Sequence, residues 1–407
     1  MRVIAPLLMA ALLLAGCHDG GNSGAISVSL IGDRPSESAA AWADIEGLVR
    51  LDREGQIVPG AAARWAILDD GLDYIFRIDD GAGVSAQLVA RRLREALRRH
   101  RRDPDFAALG PVESIEAVTG TVVEMRLSVP QPDLLPLLAR SEFTVGAATD
   151  FRAKKAERGQ IALDPRPGDE APAPILFRVE RSGRAVVRFQ NGDAELVTGG
   201  TFADLPVARA AQPNRKSLRF DPATGLFGFA IRNAALPATV RTALSLAIDR
   251  DRIVAAIGAP NHAKATTIAG STLEPPLTER RAVALALLKG GTAHIRVAMP
   301  RGPGARLLFA LAAQDWAKIG ISAEVVGLEA RNADLALVDR VAPPGTLAIL
   351  ACALSAGCDP ADRLALINPP FIPVAAPVRW SLVAPGLDLF TENGLAAHPL
   401  DQLRSRR

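Results

Sequence analysis

The chain has 407 residues, 49% of them hydrophobic and 22% charged, with 47 Lys+Arg against 44 Asp+Glu and a formal charge of +3. That balance excludes a disordered or collagen-like polymer, and it supplies the apolar mass for two or three ordinary domains. It also gives no electrostatic case for a polyanionic partner, and at 4% aromatics with a single tyrosine, Tyr74, a base- or sugar-stacking groove is excluded as well. The chain opens with Met1-Arg2 and an apolar run from Val3 to Leu14, interrupted only by Pro6. Such a run is shorter than the ~20 residues of a spanning helix and reads as the hydrophobic part of a signal peptide.

Leu14-Ala15-Gly16-Cys17 resembles the bacterial lipobox, in which the cysteine is lipidated and becomes the new N-terminus. The competing reading is a buried N-terminal helix with a core cysteine. Residues 18–25 follow as a Gly/Ser/Asn tether, so the expectation is an exported protein held to a membrane through Cys17 and otherwise soluble. Beyond them, Ile26–Leu30 alternates apolar and polar residues as a half-buried strand does. Ser38 to Leu48 reads as helix and Tyr74–Ile78 as strand, and Ser85 can cap a helix to about Arg99. The outer face of that helix carries Arg91, Arg92, Arg94, Arg98 and Arg99, read as a solvated face because aromatic interleaving is absent. No nucleic-acid partner is expected.

Val123–Val129 alternates cleanly and reads as strand, residues 152–174 read as a charged, Pro/Gly-rich loop, and Val186–Phe189 and Leu226–Ile231 read as strands. From Pro237 helical spacing takes over: Val240 to Ile248, a second stretch through Ile253 and Ile257, and a third over Arg281–Lys289. Strand Ile295–Met299, a helix from Ala305 to Lys318 ended by Gly320, and strand Ile321–Leu328 form a βαβ unit. The runs Phe371–Val374 and Trp380–Val383 are expected to return to the first lobe. Cys352 and Cys358 are close enough for a disulfide in an oxidising compartment, with two free thiols as the alternative. A phosphate loop, a paired-His zinc motif and a Gly-x-Ser-x-Gly elbow are missing, and the five histidines, His18, His100, His262, His294 and His398, are scattered as surface residues are. No cofactor, metal or catalytic residue is assigned.

Several blocks, in order, resemble the bacterial extracellular solute-binding protein family 5, the dipeptide- and oligopeptide-binding proteins of ABC importers. They are Glu46-Gly47-Leu48 with Arg50, Pro59-Gly60-Ala61-Ala62 with Trp65, and Asp69-Asp70-Gly71-Leu72 with Tyr74 and Phe76. Further along, Arg241 to Arg250 resembles the family's "R.ALslAiDR" helix, Gln314 to Ile321 its helix-to-strand turn, and Pro377-Val378-Arg379-Trp380 its C-terminal element. The resemblance implies a two-lobed α/β periplasmic-binding-protein fold with a hinged cleft. Lobe I would hold residues 26–232 with 368–407 returning to it, and lobe II, reduced, residues 233–367. It implies a monomer that captures a peptide or similar small solute and delivers it to ABC permease subunits. Peptide binders carry an aromatic-Asp-Tyr loop after the strand that corresponds to Leu335–Val338, whereas this chain has Asp339-Arg340-Val341. The ligand-binding candidates are therefore Asp33 and Arg34 after the first strand, Asn233 at the lobe crossover, and Asp339 with Arg340. A solute-binding scaffold that grips another envelope protein is the second reading, and an enzyme the third.

Overall fold

A computed structural model describes residues 24–32, 45–148, 151–155, 160–167, 172–214, 216–260 and 262–405. The signal segment with Cys17, most of the tether, and the candidates Asp33 and Arg34 lie outside these residues, as does all of the expected helix up to residue 44. The end of that helix is instead a short strand, Ile45–Gly47.

Seven strands form the first sheet, in the order Phe151–Lys155, Ile161–Pro165, Ile175–Glu180, Ile26–Ile31, Leu196–Thr201, Arg379–Val383, Leu218–Asp221. Ile26–Ile31 sits between two parallel partners, and helix Ser182–Gln190 carries the chain over from one of them to the other. Val186–Phe189, expected as strand, lies inside that helix. A four-residue apolar run has too few positions to separate a period of 2 from one of 3.6, and burial of Ala185 and Val186 decides it. Residues 152–174, expected as loop, contain an antiparallel hairpin of Phe151–Lys155 and Ile161–Pro165. Its charges and prolines suit the edge position, while Phe151, Ile161 and Leu163 face a buried cluster with Ile26 and Val28.

Five strands form the second sheet: Ile321–Gly327, Ala293–Met299, Leu335–Val341, Gly225–Ile231, Phe371–Ala375. The βαβ unit is there, with helix Pro303–Ala317 between parallel strands Ala293–Met299 and Ile321–Gly327. Of the two C-terminal runs, only Arg379–Val383 returns to the first sheet; Phe371–Ala375 pairs with Gly225–Ile231 in the second. By sheet membership the chain crosses between lobes at 222–224 and 376–378, not at 232 and 368. A prolonged apolar run does not reveal which of two sheets it joins.

Residues 45–148, inside the stretch expected as lobe I, build a third unit. Antiparallel strands Ala62–Leu68, Asp73–Ile78, Val122–Leu127 and Val112–Ala117 carry helix Ala86–His100 over a separate core of Phe76, Val89, Leu93, Phe106 and Phe143. Ser85 caps the helix as expected, its Oγ accepting from the Leu88 N–H at 3.3 Å. The Arg-rich face is only partly solvated. Arg92 donates to the Val145 carbonyl at 2.8 Å, and its guanidinium occupies the space a side chain would need at Gly146, whose φ is +85°. Arg94 donates to the Ile115 carbonyl, leaving Arg91, Arg98 and Arg99 exposed.

The two sheets share one buried apolar cluster that runs from Val197, Phe202 and Trp380 in the first lobe to Phe227, Phe229 and Trp316 in the second. Phe202 meets Phe227 edge to face at 4.8 Å, and the Gly304 N–H at the start of helix Pro303–Ala317 donates to Ala203 O at 3.0 Å. Arg209 of the first lobe donates to Ile257 O and Gly258 O at 2.6 and 2.7 Å, closing the C-terminal end of helix Arg250–Ile257 in the second.

Candidate functional site

Where the chain crosses between lobes, a cavity of about 600 Å³ opens between strand Leu218–Asp221 with Lys216, the residues Ala259, Pro260 and His262, the crossing segment Ala376–Arg379 and Glu392. Walls drawn from both lobes make its width depend on the angle between them. Its polar groups are organised as pairs. Arg379 Nη1 donates to Asp339 Oδ1 at 2.7 Å and Nη2 to the Asp339 carbonyl at 3.2 Å, joining the two sheets beside the crossing. Arg219 pairs with Glu392, and His398 Nε2 lies 3.2 Å from Asp221 Oδ2, with both of those side chains almost wholly buried. His262 Nε2 lies 2.8 Å from the Ala376 carbonyl, which assigns the proton to that nitrogen.

Burial pushes the Asp339 carboxyl above its ordinary value of 3.8, and Arg379 pulls it part of the way back. Burial holds the His262 imidazole below its ordinary 6.5, against the opposing pull of the Ala376 carbonyl and Asp339. Between 6.5 and the depressed value, the unfolded chain binds more protons at His262 than the native protein does. Stability therefore falls as pH drops through that window, by up to about 1.4 kcal/mol per unit. Asp339 acts with the opposite sign above 3.8, where the native state holds the extra proton. Urea midpoints taken at about pH 7.5 and about pH 5 should fall less for His262→Gln than for the unaltered protein. An equal fall in both would remove His262 as a source of the pH dependence.

Of the three ligand-binding candidates among the described residues, only Asp339 reaches this cavity's surroundings, and it does so as the partner of Arg379. Arg340, next along the same strand, points to the opposite face and pairs with Asp105 of the third unit at 3.3 Å. Adjacent strand residues alternate faces, so the two candidates cannot serve one site. Asn233 lies at the far end of the second sheet from both crossings, where its Nδ2 donates to Asp334 Oδ1 at 2.8 Å. Arg379 lies in a block that resembles scaffold, and His262 and His398, scattered in the sequence as surface residues are, are each packed against a partner. Pairings across 177 or 40 residues leave no local pattern in a sequence. Cys352 and Cys358 are joined in a disulfide. Among the described residues no cluster of His, Cys, Asp or Glu is arranged to hold a metal ion, and no helix is long and apolar enough to cross a membrane.

Neither a protein-family profile nor a curated relative matches the sequence. Solved structures do match in shape. OppA of Haemophilus influenzae in complex with RPPGFSPFR aligns with a TM-score of 0.75 at 15% identity, over 94% of this chain and 99% of that one. The binding protein AgaA of A. tumefaciens R10 in complex with agropinic acid gives 0.74 at 16%, again over 94% and 99%. The murein tripeptide binding protein MppA of Escherichia coli gives 0.73 at 16% over the same shares. A lobe missing from this chain would leave unmatched length in those structures, and almost none is left. On that likeness in shape and span, the chain has the two-lobed α/β fold of the periplasmic binding proteins, the fold its N-terminal sequence blocks resemble.

Proposed function

We propose that this protein is the solute-binding component of an ABC importer, exported, tethered to a membrane by lipid on Cys17, and acting as a monomer without catalysing a reaction. The solute is a peptide or similarly small molecule held between the lobes. The observation that carries this reading is the cavity at the crossing, lined from both lobes and bordered by the interlobe Arg379–Asp339 pair. The bound molecules of the shape-related proteins, RPPGFSPFR and agropinic acid, support a solute of this general kind.

A thermal-shift screen of peptides and small acids against the full chain tests it. A ligand at about 100 times its Kd stabilises by about 2.7 kcal/mol, a visible shift. The same ligand should shift Arg379→Met far less. A second reading, a binding-fold scaffold that contacts another envelope protein, is favoured by the apolar cluster that runs unbroken between the lobes. A melting curve indifferent to the whole screen, together with a gene that has no permease or ATPase beside it, selects that reading over the first.

A further inference from the structure

At the end of the second sheet farthest from both crossings, four chain segments converge on a recess of about 570 Å³. Arg232 and Asn233 enter as strand Gly225–Ile231 ends, His294 and Arg296 from strand Ala293–Met299, Arg331 from the turn before strand Leu335–Val341, and Ala356 from the loop closed by the disulfide. The cross-link constrains that last wall, and the Ala356 N–H anchors it on Ile231 O at 2.7 Å.

The charges do not cancel. Arg232, Arg296 and Arg331 line the recess against the single carboxylate of Asp334, which keeps its charge while accepting from Asn233 Nδ2 on one oxygen and the Arg296 backbone N–H on the other, each at 2.8 Å. Glu324 is taken by Arg296 Nε at 2.7 Å, with His294 at 3.6 Å. The Arg232 and Arg331 guanidiniums have no partner among the described residues. Two planar forks from separate segments suit an oxyanion that offers several oxygens at once. The recess is far larger than one such group, so the oxyanion is carried on something.

We propose that this recess binds a phosphate group borne by a larger molecule, separately from any solute held between the lobes. The inference stands on these residues alone and does not need the transport reading. The phosphate can belong to a soluble phosphomonoester or to a phospholipid headgroup, and the two sources are separable. Calorimetric titration with inorganic phosphate and with glycerol phosphate, and co-sedimentation with phosphatidylglycerol or phosphatidylcholine vesicles, would use the full chain, an Arg232→Ala/Arg331→Ala variant and an Arg98→Ala/Arg99→Ala control. The arginines concerned are exposed, so all three proteins should melt alike. Binding should weaken at least tenfold in the first variant, stay unchanged in the control, and decline with salt. Recess-dependent binding of the soluble phosphates identifies the first source, and recess-dependent sedimentation with phosphatidylglycerol alone the second. Absence of binding to every probe, binding that survives Arg232→Ala/Arg331→Ala, or equal loss in the control overturns the proposal.

Discussion

Asp315→Ala should destabilise the second lobe by about 3–5 kcal/mol, the usual cost of removing one member of a buried charge network. Asp315 is fully buried on helix Pro303–Ala317. It accepts from Arg281 at 2.5 Å, lies 2.9 Å from an Arg252 nitrogen and 3.4 Å from Lys318, and takes the Asp249 backbone N–H at 3.0 Å. Three helices meet at this one carboxylate, so alanine leaves several cationic donors facing each other without the anion they share. Asp315→Asn keeps a carbonyl oxygen for the Asp249 N–H and should lose less. Urea unfolding of the three proteins measures this, and a loss below about 1 kcal/mol for alanine would mean that water reaches the network in solution.

Gly304→Ala should open the protein. At most helix starts this change is neutral or favourable, since alanine is the better helix former. Here a Cβ would stand 2.0 Å from the Phe202 carbonyl oxygen of the opposite lobe, and one at Gly302, two residues earlier, would stand 2.8 Å from the Ala203 carbonyl oxygen. The backbone on both sides has nowhere to retreat, so overpacking of about 1–3 kcal/mol falls on the contact between the lobes and not on either lobe's own core. The expected readout is a larger radius of gyration in solution scattering and weaker binding of whatever solute the screen finds. Gly183→Ala, at a helix start with nothing within 4 Å, is the control and should change neither. An unaltered scattering profile for Gly304→Ala would show that the lobes do not meet at this point in solution.

Local rules carried much of the chain. Ser85, Leu93 and the arginines around them specify helix Ala86–His100, and the βαβ unit, its helix stopped at Gly320, follows from periodicity and that one glycine. The ordered blocks around Asp69-Asp70-Gly71, Arg241 to Arg250 and Pro377 to Trp380 pointed to the two-lobed fold. All these signals lie within one element or one turn, where spacing along the chain equals spacing in space.

Tertiary structure decided the rest. Whether Phe371–Ala375 joins the first sheet or the second depends on which edge is free, and Gly225–Ile231 supplies it. Val186–Phe189 became helix because Ala185 and Val186 face the shared core. The site was the least legible part. Asp339 and Arg340 are neighbours in sequence yet serve opposite faces of one strand, and Asp339 finds Arg379 forty residues on. A binding site is made by convergence of distant segments, and burial and charge at that point exist only once the chain has folded.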